Sequence, residues 1–258
     1  MGTLIAIVNE KGGVGKTTST LNLGAALAET GASVLLVDLD SRADLTLNAG
    51  IRLNESQPSI YDVLINETVN MLDVALPVIE GGFSVIPCER DKAAAEVLYL
   101  QQTPEKRQQH LRGAFATAIE NFDWILCDCP PGLSSITVAL LQIVDGIIVP
   151  QACSFTALHG LRALEQTLHD IHETGYTPHI SGILLTMCRR TNHSQHIEAS
   201  VRNRYGDIVL NSTIPLTTRA QEAPEYGMPL TTYDPKGPAT EAYRNAANEV
   251  MIRCRKEI

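Results

Sequence analysis

No stretch of this sequence is long and apolar enough to span a bilayer. The longest apolar run, around Val138–Pro150, is interrupted by Gln142 and Asp145 and falls short of the ~18 residues a spanning helix needs. The opening Met1-Gly2-Thr3-Leu4-Ile5-Ala6 lacks the basic region of a secretory signal, and Ala6 stands where a myristoylation motif carries Ser or Thr. Cys254 sits one position too early for prenylation. C-x-x-C spacing is also missing among Cys88, Cys127, Cys129, Cys153, Cys188 and Cys254. Most of these lie in apolar surroundings, which reads as structural thiols in a reduced, cytosolic protein. There is no long block of like charge, no internal repeat and no Pro/Gly/Ser-rich linker. With 44% hydrophobic residues, disorder is excluded. The expectation is one domain over residues 1–258, which at that length buries about 70–75% of its unfolded surface without help from disulfides or metals.

What charge there is lies unevenly. The chain carries 20 Lys+Arg against 29 Asp+Glu, a net of −9. Residues 1–178 hold 10 basic and 21 acidic side chains, net −11, whereas residues 179–258 hold 10 and 8, net +2. The whole molecule is a poor generic polyanion binder, but its C-terminal third has the makings of a local basic patch. Ordinary scatter of charge over solvated faces is the competing reading.

The chain alternates strand-like and helix-like segments. Leu4–Val8, Ser33–Leu39, Phe83–Pro87, Trp124–Cys127, Gly146–Val149 and Ile180–Thr186 are short apolar runs without polar alternation. Such runs suit strands buried on both faces of a parallel sheet. Between them, Phe155, Leu158, Leu161, Leu164, Leu168 and Ile171 recur at helical spacing, as do Ile197, Val201 and Tyr205. Gly31 stands where a left-handed residue closes the first helix. The fold expected is α/β, a doubly wound, mostly parallel twisted sheet flanked by helices.

The most informative segment is Asn9-Glu10-Lys11-Gly12-Gly13-Val14-Gly15-Lys16-Thr17-Thr18, between the first strand and the first helix. Glycines let backbone N–H groups turn inward around an oxyanion, and the helix start adds its positive dipole end. Lys16 is placed to reach β- and γ-phosphates and the Thr17 hydroxyl to ligate Mg²⁺. The alternative is an ordinary glycine-rich strand–helix turn. The usual G-x-x-x-x-G-K-[ST] pattern fails strictly, because its first glycine falls on Glu10. A second lysine, Lys11, opens the loop instead. It either serves a phosphate held by another subunit or is a solvated surface lysine.

Lys11-Gly12-Gly13-Val14-Gly15-Lys16-Thr17-Thr18 resembles the deviant Walker A loop of the ParA/MinD ATPases, a branch of the P-loop NTPases. The resemblance extends along nearly the whole chain. Val34-Leu35-Leu36-Val37-Asp38-Leu39-Asp40 resembles the second strand and first switch, and Ile125-Leu126-Cys127-Asp128-Cys129-Pro130-Pro131-Gly132 the Walker B strand and second switch. Ile214-Pro215, Arg219-Ala220-Gln221-Glu222-Ala223-Pro224 and Tyr233-Asp234-Pro235 are similar to the ParA branch in particular.

That resemblance implies ATP and Mg²⁺ as cofactors and assigns roles by position. Residues Lys11, Gly12, Gly13, Val14, Gly15, Lys16, Thr17, Thr18 and Pro215 would bind the nucleotide. Lys11 would cross a dimer interface to the partner's nucleotide, so that Lys11, Lys16 and Asp40 form the catalytic set. Asp40 would orient or activate the attacking water, and Thr17, Asp40 and Asp128 would surround the metal; Asp38 would support the first switch. Phosphoryl transfer asks for in-line water and charge neutralisation rather than covalent chemistry. Arg190 and Arg219 match positions that ParA proteins use toward DNA. The sequence departs from the family pattern at three places. Ser41-Arg42 replaces the usual Pro-Gln, Leu216 replaces the arginine that commonly follows Ile-Pro, and Glu225 replaces a small residue. The first departure implies an altered rate or coupling of hydrolysis, and the second removes one DNA contact.

Other constellations carry less. His169/His172 and His193/His196 are i,i+3 pairs without a nearby third ligand, so solvent-facing histidines compete with a metal site. Cys127 and Cys129 share one sheet face and read as packing, and Trp124 and Phe122 as core residues. A MinD-type membrane ATPase would end in an apolar–basic amphipathic helix, and the tail 250–258 is thin in bulky apolar residues, so no stable membrane association is expected. A cluster-carrying relative needs paired cysteines, and a tyrosine-kinase relative needs a C-terminal tyrosine cluster, whereas Tyr243 is the last tyrosine here. The resemblance therefore implies an ATP-dependent homodimer that binds nonspecific double-stranded DNA. Such a dimer segregates or positions plasmid or chromosome cargo with a ParB-like adaptor that stimulates hydrolysis, in the bacterial or archaeal cytoplasm at the nucleoid. Positioning of a protein cargo and a MinD-like membrane role are the alternatives. The loop begins at residue 9, leaving no room for an N-terminal helix-turn-helix.

Overall fold

The computed structural model describes residues 1–54, 56–78, 81–90, 98–154, 158–173 and 175–254. Eight strands form one sheet: β1 Thr3–Ile7, β2 Val34–Asp38, β3 Leu76–Val78, β4 Phe83–Ile86, β5 Trp124–Asp128, β6 Gly146–Ala152, β7 Ile180–Cys188 and β8 Val209–Pro215. Their order is β3-β4-β2-β5-β1-β6-β7-β8. Every pairing is parallel except β3 with β4, which is antiparallel at one edge. The strand order reverses beside β1, which places the crevice of a doubly wound sheet at the end of that strand.

Strand residues alternate between two separate cores. On one face Ala6, Val37, Cys127, Val149 and Leu185 pack with Phe115, Leu140, Leu161, Leu164 and Val201, from the helices Pro104–Asn121, Ser135–Leu141, Leu158–Glu173 and Asn192–Tyr205. On the other, Ile5, Ile7, Leu36, Leu126 and Leu184 pack with helix α1, Lys16–Ala28, and with Tyr243, Ala247 and Val250 of the helix Pro238–Cys254. This two-sided burial is why the strands lack polar alternation.

All six runs read as strands form strands, with ends shifted by a residue or a few. Two strands escaped the reading. β3 contains Pro77 and is three residues long, and β8 carries Asn211-Ser212-Thr213 in its middle. Both are edge strands, where backbone pairing rather than a buried apolar run defines the element. Gly31 closes the first helix with φ +87. In the long helical pattern Leu161, Leu164, Leu168 and Ile171 are buried, while Phe155 lies outside the described residues, as do the last four of the tail. No described helix is long and apolar enough to cross a membrane.

Candidate nucleotide-binding site

Parallel strands bring the loops after β1, β2, β5, β7 and β8 to one edge of the sheet. The loop after β1 is braced from outside. Buried Asn9 donates its amide to the Pro150 carbonyl at 2.9 Å, and its Oδ1 accepts the Lys11 N–H at 3.0 Å. The Thr186 hydroxyl on β7 donates to the Val14 carbonyl at 2.8 Å. Gly13 and Gly15 hold φ of +73 and +88, a region that side-chain-bearing residues avoid. Gly15 opens α1 with no side-chain cap, so the first N–H groups of the helix keep their donors for an anion.

Lys16 stands at the start of α1, only 6% exposed, and its ammonium donates to the Lys11 carbonyl at 3.1 Å. Burial lowers its pKa, while Asp128 and Asp40 pull it back up. Asp38 and Asp128 are register partners on β2 and β5, both fully buried. Asp38 is satisfied: Oδ2 accepts from the Thr46 N–H and hydroxyl at 2.9 and 2.6 Å, and Oδ1 from the Asp40 N–H at 3.2 Å. Burial nonetheless pushes it up to about 7. Asp128 is not satisfied. Its Oδ1 accepts from the Thr20 hydroxyl at 3.3 Å, but Oδ2 has no hydrogen-bond partner among the described residues. Burial, and then the charge of Asp38, hold it well above the usual carboxylate range against the pull of the Thr17 hydroxyl and Lys16.

A buried carboxylate oxygen without a donor is costly. A hard divalent cation with its waters removes that cost, and the Thr17 hydroxyl and Asp40 stand within its neighbourhood. The donor set of hydroxyl and carboxylate oxygens fits Mg²⁺ and the loop fits phosphates. Asp40, 2% exposed, is itself bound by Arg42: Nη2 lies 2.8 Å from Oδ2, and Nε 3.3 and 3.2 Å from Oδ1 and Oδ2.

Two cavities adjoin the loop. Pro215 and Thr18 share a slot of about 80 Å³ with Gly15, Met187, Gln221 and Tyr243. Lys11 lines a cleft of about 470 Å³ with Gly13, Cys153, Arg189 and His193. Gly12 and Gly13 are exposed, Val14 is buried, and Thr17 and Thr18 are half-buried. The residues predicted to hold nucleotide and metal thus gather around one loop, with Lys11 on the flank of β6 and β7.

A family model described as an AAA domain matches residues 2–181. The chromosome partitioning protein ParA of Caulobacter vibrioides is 38% identical over 255 residues, covering 97% of this chain and 94% of that protein. The sporulation initiation inhibitor protein Soj of Bacillus subtilis is 36% identical over 252 residues, covering 97% and 98%. The chain belongs to the ParA family of ATPases. Among solved structures, cobyrinic acid a,c-diamide synthase from Mycobacterium smegmatis with a bound ATP analogue and magnesium superposes with a TM-score of 0.82 at 29% identity, covering 100% and 98% of the two chains.

In this ParA-family chain the two arginines expected to meet DNA do not line the two cavities beside the nucleotide loop, although their chain neighbours Arg189, Thr191, Thr217 and Ala220 do. Arg190 is exposed just after β7, with no ion pair among the described residues. Arg219 lies on the short helix Thr218–Glu222, 3.2 Å from Glu222 and over the Tyr233 ring. Glu222 offsets part of the Arg219 charge through Nη1. Four features escaped the sequence reading. Ala43 and Met187 hold φ of +55 and +54, strained positions that cluster at functional sites. Thr186 braces the loop, and Arg189 lies in the Lys11 cleft. Nothing in Ala, Met or Thr as residue types announces such roles; only the arginine, by its charge, carried a signal. The histidines of both i,i+3 pairs are exposed. Cys127 and Cys129 are buried in one core cluster, as is the Trp124 ring in the other.

Proposed function

We propose that this chain is an ATPase whose ATP-bound form dimerises, binds duplex DNA without sequence preference, and segregates or positions plasmid or chromosome cargo under stimulation by a ParB-like adaptor. The observation that carries the reading is the braced loop with buried Lys16 beside Asp128 and its unpartnered oxygen. Residues 1–258 act as a single domain, working at the bacterial nucleoid.

Lys11 to Thr18 and the Pro215 slot would hold ATP, with Lys16 exchanging the Lys11 carbonyl for phosphate oxygens. Thr17 and Asp128, with Asp40 beside them, would hold Mg²⁺, which when bound neutralises charge on the β- and γ-phosphates. Asp40 orients the water that attacks in line, and Lys11 of each subunit completes the opposite site. Asp38 fixes the switch backbone through Thr46 and Asp40. The partition name of the ParA relative supports the cargo assignment, and the net +2 of residues 179–258 supports the DNA face.

The test is binding of random-sequence duplex at low salt. Binding is expected to require ATP, to fall with salt at a slope of about −0.9 per phosphate neutralised, and to weaken in Arg190→Glu and Arg219→Glu with the ATP dimer intact. An ATP dimer that ignores duplex DNA at low salt replaces the DNA track with a protein scaffold or a membrane.

A further inference from the structure

The switch after β2 contains a contact that the family resemblance does not supply. Arg42 folds back two residues and grips Asp40 with three groups: its own backbone N–H at 3.1 Å, Nε across both carboxylate oxygens, and Nη2 at 2.8 Å. A carboxylate offers about four acceptor positions. Here four donor contacts fall on its two oxygens. A carboxylate that must accept from an attacking water needs a free position and an uncompensated charge, and a guanidinium fork removes both.

The fork is held in place yet open to solvent. The Arg42 side chain is 55% exposed, with Asp44 3.5 Å from Nη2 as a second anionic neighbour. Arg90 donates to the Arg42 carbonyl at 2.6 Å and reaches Asp44 at 3.4 Å. The main chain of the switch is therefore pinned independently of the Arg42 head group, which is free to leave without the backbone moving. Ala43, strained at φ +55, follows directly and closes the turn with its N–H on the Asp40 carbonyl at 2.8 Å. Arg42 also lines a cavity of about 300 Å³ with Tyr61, Tyr99, Pro131 and Ser134, through which its head group is accessible.

We propose that Arg42 is a positioning residue that restrains hydrolysis by keeping Asp40 charge-paired, so that turnover is set by how often the fork opens. The inference rests on the ATPase reading above and deepens it: it identifies what limits the water-orienting group. It also gives the Ser41-Arg42 departure a physical role, because a neutral residue at position 42 leaves Asp40 unpaired.

The experiment compares wild type, Arg42→Gln, Arg42→Lys, Asp40→Ala and the Arg42→Gln/Asp40→Ala double variant. Arg42→Gln is expected to raise kcat about five-fold, the worth of one half-exposed ion pair, with KM unchanged. Arg42→Lys, which keeps a charge but loses the fork, falls between the two. The double variant is as slow as Asp40→Ala, since the gain acts only through Asp40. Independently of turnover, ¹⁵N-arginine NMR of the nucleotide-free protein should show an Arg42 Nε–H that exchanges slowly with solvent and loses that protection in Asp40→Ala. A fall in kcat for Arg42→Gln with ATP binding retained, a gain that persists without Asp40, or an unprotected Nε–H each overturns the proposal. Wild-type protein that binds no ATP overturns the ATPase reading instead, and the Nε–H signal, a property of the nucleotide-free chain, tells the two failures apart.

Discussion

The loop Asn9–Thr18 and the switch Asp38–Asp44 follow β1 and β2, the strands on either side of β5, and are held in opposite ways. The loop is fixed by groups distant in sequence: Pro150 accepts from Asn9, Thr186 donates to Val14, and two glycines hold positive φ. Its geometry is complete before any ligand arrives. The switch is held by exchangeable charge, with Arg42 on Asp40 and Arg90 on Asp44, next to three buried or nearly buried carboxylates. A preformed anion cradle binds; a charge-paired switch waits. On the proposed function, the contrast separates where affinity resides from where timing resides.

The strongest way to break the contrast is Lys16→Ala. Lys16 is the buried cation of the cradle, and its loss is expected to abolish nucleotide binding in calorimetry while the fold persists. Retained binding would move affinity out of the loop. Next in size is Asp40→Ala, expected to leave binding intact and to slow turnover by ~10²-fold or more, the usual range for lost help to a water. The protein should then accumulate as an ATP dimer. Unchanged steady-state ATPase would shift the role to another carboxylate, with Asp38, which already accepts from Thr46 and the Asp40 N–H, the next suspect.

The smallest effect concerns pH. Asp38, pushed up to about 7, and Asp128, also raised by burial, bind more protons folded than unfolded. The stability they contribute is present at low pH and lost as pH rises through the folded pKa. Thermal stability of the nucleotide-free protein should therefore fall from about pH 4, where the unfolded carboxyls titrate, to about pH 7, at up to ~1.4 kcal/mol per pH unit for each extra proton the folded state holds. Mg²⁺ with nucleotide should flatten that slope, because the cation takes over the role of the protons. A slope indifferent to Mg²⁺-nucleotide would place the cation away from this acid cluster.

The same contrast explains what could be read from sequence. The loop was legible because glycines, a lysine and a threonine between an apolar strand and a helix have few other uses. The interior strands were legible because burial on both faces leaves runs such as Val34–Val37. Beyond these, the decisive features are three-dimensional. The Thr186–Val14 bond joins residues 172 positions apart, and the positive φ of Ala43 and Met187 leaves no compositional trace. The edge strands β3 and β8 are defined by their neighbours rather than by their own residues. Arg42 was visible as a departure from the family pattern, but its grip on Asp40 is a matter of side-chain conformation.

The central claim is that two copies of this chain share the hydrolytic sites, each through Lys11. That lysine lies on the flank of the loop, in the cleft with Arg189 and His193, and not among the groups around Asp128. Light scattering on wild type and Lys11→Ala with ATP and Mg²⁺ tests it directly. Wild type should move from monomer to dimer with ATP and not with ADP, whereas Lys11→Ala should bind ATP and remain monomeric. A normal ATP dimer of Lys11→Ala would contradict the account.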